Sequence, residues 1–155
     1  MFKETKISKV VIIGGSFGAI AAAKDLQKKL GKELEITLIT ARSYIHQNMA
    51  SLRALADPNL IEKTFIPLDN LFKKAPRTKI VVAKVVSISK SSVSTHDNQT
   101  FDFDYLVIAT GSSTKTGKAP VDDLQENLDY YKKTSGEIKE AKKILIVGGG
   151  NQLYK

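Results

Sequence analysis

Residues 14 to 19 read Gly14-Gly15-Ser16-Phe17-Gly18-Ala19 and follow the apolar run Val10-Val11-Ile12-Ile13 directly. This segment has the makings of an anion cradle. A dinucleotide pyrophosphate needs a tight turn after a strand, a position without a bulky side chain where backbone meets phosphate, and a helix N-terminus whose free N–H groups face the anion. Against the pattern G-x-G-x-x-G/A, Gly14 fills the first position, Ser16 replaces the second glycine and Ala19 satisfies the third. Ser16 is small and suited to capping a helix, and Gly15 and Gly18 keep the turn permissive. The plainer alternative is an ordinary strand-to-helix turn with a packing glycine. Further along, Thr40 stands where such a site normally offers a carboxylate to the adenosine ribose, and Ala41 and Arg42 follow it. A hydroxyl can bond a ribose without the charged contact, whereas Arg42 is suited to a phosphate. These two residues favour a rival reading, a single-nucleotide NADP-binding Rossmann domain.

The elements that must position these residues are legible as changes of period. Lys9 to Ile13 is a consecutive apolar run, the pattern of a strand buried on both faces of a parallel sheet. Ile20, Ala23, Leu26 and Leu30 then recur at helical spacing, with Gly31 as a stop, and Leu34 to Thr40 is a second β-rich run. The first forty residues therefore read as a βαβ unit. Tyr44 to Ala56 predicts a short helix with Met49, Leu52, Leu55 and Ala56 on its apolar face and Tyr44-Ile45-His46-Gln47-Asn48 as a polar lead-in. A helical turn at 68–74 ends at Pro76. Lys79 to Ser89, Ser92 to His96 and Thr100 to Phe103, with a turn at Asp97-Asn98, predict a β-meander. Tyr105 to Ala109 returns to the fully buried strand pattern and ends in Thr110-Gly111. Residues 112–120 are a Ser/Thr/Gly/Pro-rich loop. A helix over Asp122 to Ala141, broken near Ser135-Gly136, leads to the strand Lys143 to Val147 and the glycine turn Gly148-Gly149-Gly150.

Composition narrows the function classes. With 155 residues and 42% hydrophobic content, the chain can bury a single core. Its apolar stretches fall far short of a membrane span, and Phe2 in place of glycine rules out N-myristoylation, so any membrane contact would be peripheral. The sequence before Lys9 has no room for a secretory or transit signal, which makes the cytosol the expected location, with mitochondrial or lipid-surface association left open. The absence of cysteine removes disulfides, cysteine-ligated metals and thiol-based catalysis. A net charge of +8 raises the question of nucleic acid, but the lysines are scattered and not interleaved with aromatics, so no nucleic-acid partner is expected.

Four segments in order, KVVIIGGSFGAIAA, SYIHQNMASLRA, FDFDYLVIATGS and KKILIVGGG, resemble the N-terminal part of the pyridine-nucleotide flavoprotein superfamily. Within it they are similar to the apoptosis-inducing-factor-like and ferroptosis-suppressor-like branch, over residues 9 to 150. The resemblance implies an α/β Rossmann-like FAD-binding domain over 1–142, with a parallel sheet and a β-meander insertion, and an incomplete second Rossmann unit over 143–155. It implies FAD in the first unit, NADH or NADPH in the second, and hydride passing from nicotinamide to flavin and then to a quinone or other acceptor. Carried across by motif, Gly14, Gly15, Ser16, Phe17, Gly18 and Ala19 would surround the pyrophosphate, and Thr40 and Arg42 would lie near the adenosine ribose. Asn48 and Arg53 would fall in the segment facing the flavin. Backbone groups near Lys84 and Val85 would meet the adenine, and Thr110 and Gly111 would close over the dinucleotide. A solvated helix charge is the alternative for Arg53, and a structural role is favoured over acid–base chemistry for His46. No catalytic side chain and no metal ligand is assigned. Disulfide reductases of the superfamily need a redox dithiol, so direct transfer from flavin to an acceptor is the chemistry left.

After Gly150 the family pattern calls for a small residue near position 153 and a following helix, where this sequence has Leu153. The expectation is an N-terminal fragment with impaired activity. The non-enzymatic reading is a folded remnant.

Overall fold

The computed structural model describes residues 7–112 and 122–145. The loop expected at 112–120, apart from Ser112, and the glycine turn at 148–150 lie outside the described residues, as does the end of the strand expected at Lys143 to Val147. The chain divides into two compact units, one of residues up to Ser43 plus Leu68–Gly111, the other of Tyr44–Pro67 plus the residues from Ser112 onward.

The first unit is built on β1 (Ser8–Ile13), α1 (Phe17–Leu30) and β2 (Leu34–Thr40). β1 and β2 pair in parallel from Ser8↔Leu34 to Ile13↔Ile39, which establishes the predicted βαβ unit. Val10, Val11, Ile12 and Ile13 are all buried, as the uninterrupted apolar run requires. α1 buries Ala19, Ile20 and Ala23, two of them alanines that allow the helix to lie close to the strands, while Leu30 emerges at its end and is exposed.

Two corrections to the sequence reading concern the rest of this unit. The run at 79–89 is not one strand. Its first half, β5 (Thr78–Val82), joins β2 in parallel from Ile36↔Thr78 to Thr40↔Val82. The chain then turns through Ala83 and Lys84, with the buried Ala83 donating its N–H to the Thr40 carbonyl at 2.8 Å. Its second half, β6 (Val85–Ile88), starts an antiparallel three-stranded sheet with β7 (Ser92–Thr95) and β8 (Thr100–Asp102). The Asp97-Asn98 turn between β7 and β8 is present, and Asn98 takes a positive φ of 62°. The second correction concerns β9 (Tyr105–Ile108), whose apolar run predicted burial on both faces. β9 pairs with β1 in parallel and, among the described residues, ends the order β5-β2-β1-β9. At that edge Tyr105 and Ile108 are each 63% exposed.

In the second unit β3 (Tyr44–His46) and β4 (Phe65–Pro67) form an antiparallel pair, with His46 opposite Phe65. Tyr44 to His46, the first three residues of the supposed polar lead-in, are therefore a buried strand. A 3-10 turn at Asn48–Ala50 follows, and only then α2 (Ser51–Ala56). α2 buries Ser51 and Ala54, whereas Met49, placed on the apolar face by its spacing, is 75% exposed. α3 (Leu124–Glu140) starts at Asp123, whose carboxylate accepts the Glu126 N–H at 2.9 Å, a standard N-cap. It runs unbroken through Ser135-Gly136. The expected break is absent because the Ser135 hydroxyl donates to the Leu55 carbonyl at 2.7 Å and is buried against α2 instead of competing for the helix backbone.

Candidate functional site

The glycine turn lies at the carboxyl end of β1, where the strand hands over to α1. Gly14 has φ +130°, a conformation L side chains rarely adopt, and a Cβ there would overlap the Ala109 carbonyl group. Its N–H donates to the Ile39 carbonyl at 2.8 Å, and Ala109 donates to the Ile13 carbonyl at 2.8 Å. Thus Gly14 is wedged between the ends of β2 and β9. A Cβ on Gly15 would come within 2.6 Å of the Thr40 Cβ, so that position too tolerates only hydrogen. Ser16 caps α1 through its backbone, its carbonyl accepting the Ile20 N–H at 3.0 Å, while its hydroxyl makes no capping bond. The first-turn amides are therefore not engaged by the Ser16 side chain. The first turn holds no acidic residue, which leaves the positive end of the 14-residue helix unopposed there. Phe17 and Gly18 are exposed, and Ala19 is fully buried beneath the turn.

The carboxyl ends of the other three parallel strands converge on the same place. Thr110 and Gly111 follow β9, with Gly111 at φ +76°, and the Thr110 nitrogen sits 3.3 Å from where a Gly14 Cβ would lie. Thr40, at the end of β2, is buried, and its hydroxyl both accepts from the Arg42 N–H at 3.2 Å and donates to the Arg42 carbonyl at 3.1 Å. The hydroxyl is thus engaged within its own turn, and Thr40 serves the site by filling the space above Gly15. Lys84 follows β5. Its backbone N–H donates to His96 Nδ1 at 3.2 Å, and its carbonyl accepts the His96 N–H at 2.9 Å. Val85, next in sequence, is paired with Thr95. His96 therefore fixes the segment assigned to adenine, a role sequence reasoning missed, as it missed Ala83 and Ala109. The only available signal was the small residue after each strand.

Asn48 and Arg53 belong to the second unit. Asn48 is half-buried and its Oδ1 accepts from the Ser51 hydroxyl at 3.5 Å, while Arg53 is exposed on α2 with no ion-pair partner among the described residues. Behind them is a polar core. His46 stacks on Phe65 with ring centroids 4.7 Å apart, and its Nε2 lies 3.3 Å from the Ser51 hydroxyl, which also accepts from the Tyr131 hydroxyl at 3.2 Å. Asn127 donates to the Tyr44 hydroxyl at 2.7 Å and to the Asp123 carbonyl at 2.6 Å. Burial pushes the Tyr131 hydroxyl above the ordinary tyrosine range, against the Ser51 hydrogen bond that favours its anion. His46 is thus built into packing, the structural role its sequence setting favoured.

A parallel sheet whose strands end around a glycine turn and an open helix N-terminus is a Rossmann-type fold, a class in which ligands bind at the carboxyl ends of the strands. The pattern of the Pyridine nucleotide-disulphide oxidoreductase family matches residues 8–152, and the chain belongs to that family. Within it the chain falls in the apoptosis-inducing-factor-like branch. It is 38% identical over 152 residues to apoptosis-inducing factor homolog A of Dictyostelium discoideum, covering 96% of this chain and 36% of that protein. It is 32% identical over 153 residues to human ferroptosis suppressor protein 1, covering 96% of this chain and 39% of that protein. Among solved structures, sulfide:quinone oxidoreductase from Aquifex aeolicus superposes with a TM-score of 0.69 at 28% identity, covering 86% of this chain and 33% of that one. The chain therefore spans little more than a third of the curated relatives it matches. Among the described residues no helix is long and apolar enough to cross a membrane.

Proposed function

We propose that this chain is the FAD-binding part of an NAD(P)H-dependent flavoprotein oxidoreductase that passes electrons to a quinone or similar acceptor. The observation that carries the reading is the convergence of Gly14, Gly15, Thr40, Ala83 and Thr110 at the carboxyl ends of four parallel strands, the crevice where open α/β sheets take their ligands. Gly14 and Gly15 let backbone approach a pyrophosphate, and the first-turn amides of α1 donate to its oxygens. Thr110 and Gly111 close over the dinucleotide, and the backbone at Lys84 and Val85, held by His96, borders the adenine. Asn48 and Arg53 are assigned to the flavin end on the resemblance alone. The ribose end departs from the usual pattern, since Thr40 gives its hydroxyl to Arg42 and offers no carboxylate. Bound FAD would supply the hydride and electron chemistry, with the protein providing position and electrostatics. The quinone acceptor is drawn from the name of the Aquifex aeolicus enzyme, and the nicotinamide donor from the family.

The test is direct. Purified protein is expected to carry flavin absorption or to acquire it on adding FAD, with little response to NADPH alone. A colourless protein that fails to bind added FAD would sink the proposal, and tight NADPH binding without FAD binding would replace it with the single-nucleotide reading.

A further inference from the structure

At the opposite ends of the same strands, the last turn of α1 and the chain entering β5 enclose a cleft of about 570 Å³. Four cations line it, Lys28, Lys29, Lys32 and Arg77, against one acid, Glu33. Lys28 and Lys29 sit in the last turn of α1, where free carbonyls favour cations on their own account. That explanation does not reach Lys32 and Arg77, which lie beyond the helix. Lys29 pairs with Asp25 at 2.9 Å, but Lys28 and Lys32 have no ion-pair partner among the described residues. Arg77 donates from Nη1 to the Lys32 carbonyl, which holds its guanidinium across the cleft and leaves its other N–H donors available. Cations gathered in one concavity repel one another and focus a positive potential there, and an anion relieves both effects. A guanidinium beside flexible ammonium groups matches the several oxygens of a phosphate better than a single carboxylate.

We propose that this cleft binds a phosphate-bearing anion, free or as a lipid headgroup, at a site separate from the glycine turn. The site goes beyond the cofactor reading and does not depend on it. The seven residues of β2 separate the two ends by roughly 20 Å at about 3.3 Å per residue.

Inorganic pyrophosphate titrated into the isotope-labelled full chain at low ionic strength, followed residue by residue through backbone amide resonances, tests this. Shifts are expected at Gly31, Lys32, Arg77 and Thr78. In a Lys28→Gln, Lys32→Gln variant, which leaves the Arg77 bond to backbone intact, the affinity read from those shifts should fall roughly tenfold, the loss expected for charge-assisted contacts. An Arg77→Gln variant should lose them further. Shifts at 14–19 report the dinucleotide reading separately, so either site can fail alone. Pelleting of the full chain with phosphatidylcholine vesicles containing phosphatidic acid, but not with phosphatidylcholine alone, and loss of pelleting in the lysine variant would name a lipid headgroup as the source. Pyrophosphate shifts without pelleting would name a soluble anion. No shift at residues 31–32 and 77–78, or shifts unchanged in the variants, would overturn the proposal.

Discussion

One buried cluster around β1 consists of Val11, Ile13, Ile39, Ala83 and Val93, all aliphatic, and the polar residues buried in the same unit are three threonines, Thr37, Thr40 and Thr95. A second, between α2 and α3, consists of Tyr44, Ala54, Ile61, Phe65 and Tyr131, interleaved with buried His46, Ser51, Asn127, Thr134 and Ser135. The aliphatic cluster gains from dispersion and water exclusion without directional demands. The second buries polar atoms that are each costly without a partner, and every buried side-chain polar atom described has one. An aliphatic interior tolerates small shifts of its members. A hydrogen-bonded one fixes where each side chain must be.

The sharpest way to break this contrast is at the glycine turn, where the aliphatic unit is also intolerant. Gly14→Ala puts a methyl group into the Ala109 carbonyl on a backbone at φ +130°, so the turn must rearrange. Strain and overpacking together are expected to cost about 3 kcal/mol or more in urea unfolding, with FAD binding lost. Unchanged stability in the Gly14→Ala variant would show that the turn is looser than its geometry.

Next comes the polar interior. Asn127→Leu removes the donor to the buried Tyr44 hydroxyl and to the part-buried Asp123 carbonyl, and is expected to cost about 2–3 kcal/mol by the same measurement. An apolar change of similar volume that stabilised the protein would mean that the polar character of this interior is incidental. Tyr131→Phe removes one hydroxyl while keeping the ring packing, so its cost should be smaller, about 1 kcal/mol. It also carries a pH signature. The folded protein holds the Tyr131 proton more tightly than the unfolded chain does, so the stability this group contributes is fully present below about pH 10 and lost as pH rises through the raised folded value. Tyr131→Phe should flatten that alkaline decline, read as the urea midpoint against pH.

The same contrast explains what could be read in advance. Val10 to Ile13 and Leu34 to Thr40 announce buried parallel strands because continuous burial leaves a continuous apolar run, and the glycine turn between them announces its own geometry. Tyr44 to His46 gave no such signal, since a short strand bearing a histidine looks like a polar lead-in until Phe65 is known to lie opposite. Met49 misled for the converse reason: its helical spacing was apolar, but the face that packs is the small one carrying Ser51 and Ala54. The division of 79–89 between two sheets turns on the Ala83 bond to Thr40, a contact between residues forty-three positions apart that no local period records. At the candidate site, the glycines were legible from their type. The engagement of Thr40 with Arg42 and of Lys84 with His96 depends on backbone groups, which every residue possesses and no sequence distinguishes.

The smallest expected effect lies at the tip of the β7–β8 hairpin, and it separates the two units by pH. The Thr95 hydroxyl donates to Asp97 at 2.6 Å and the Gln99 amide donates to it at 2.5 Å, which holds its carboxyl below the ordinary aspartate range. A carboxyl depressed in the folded state contributes stability that is present above about pH 3.9 and is lost as pH falls through the lower folded value. Asp97→Asn keeps an acceptor for Thr95 and removes the titration. Its expected signature is therefore an acid limb of the stability curve made slightly shallower, with little change near neutrality, since the group is fully exposed and its interactions are screened. The alkaline limb should be untouched, because that limb belongs to Tyr131 in the other unit. If Asp97→Asn altered the alkaline limb, or Tyr131→Phe the acid one, the assignment of each limb to its residue would fail.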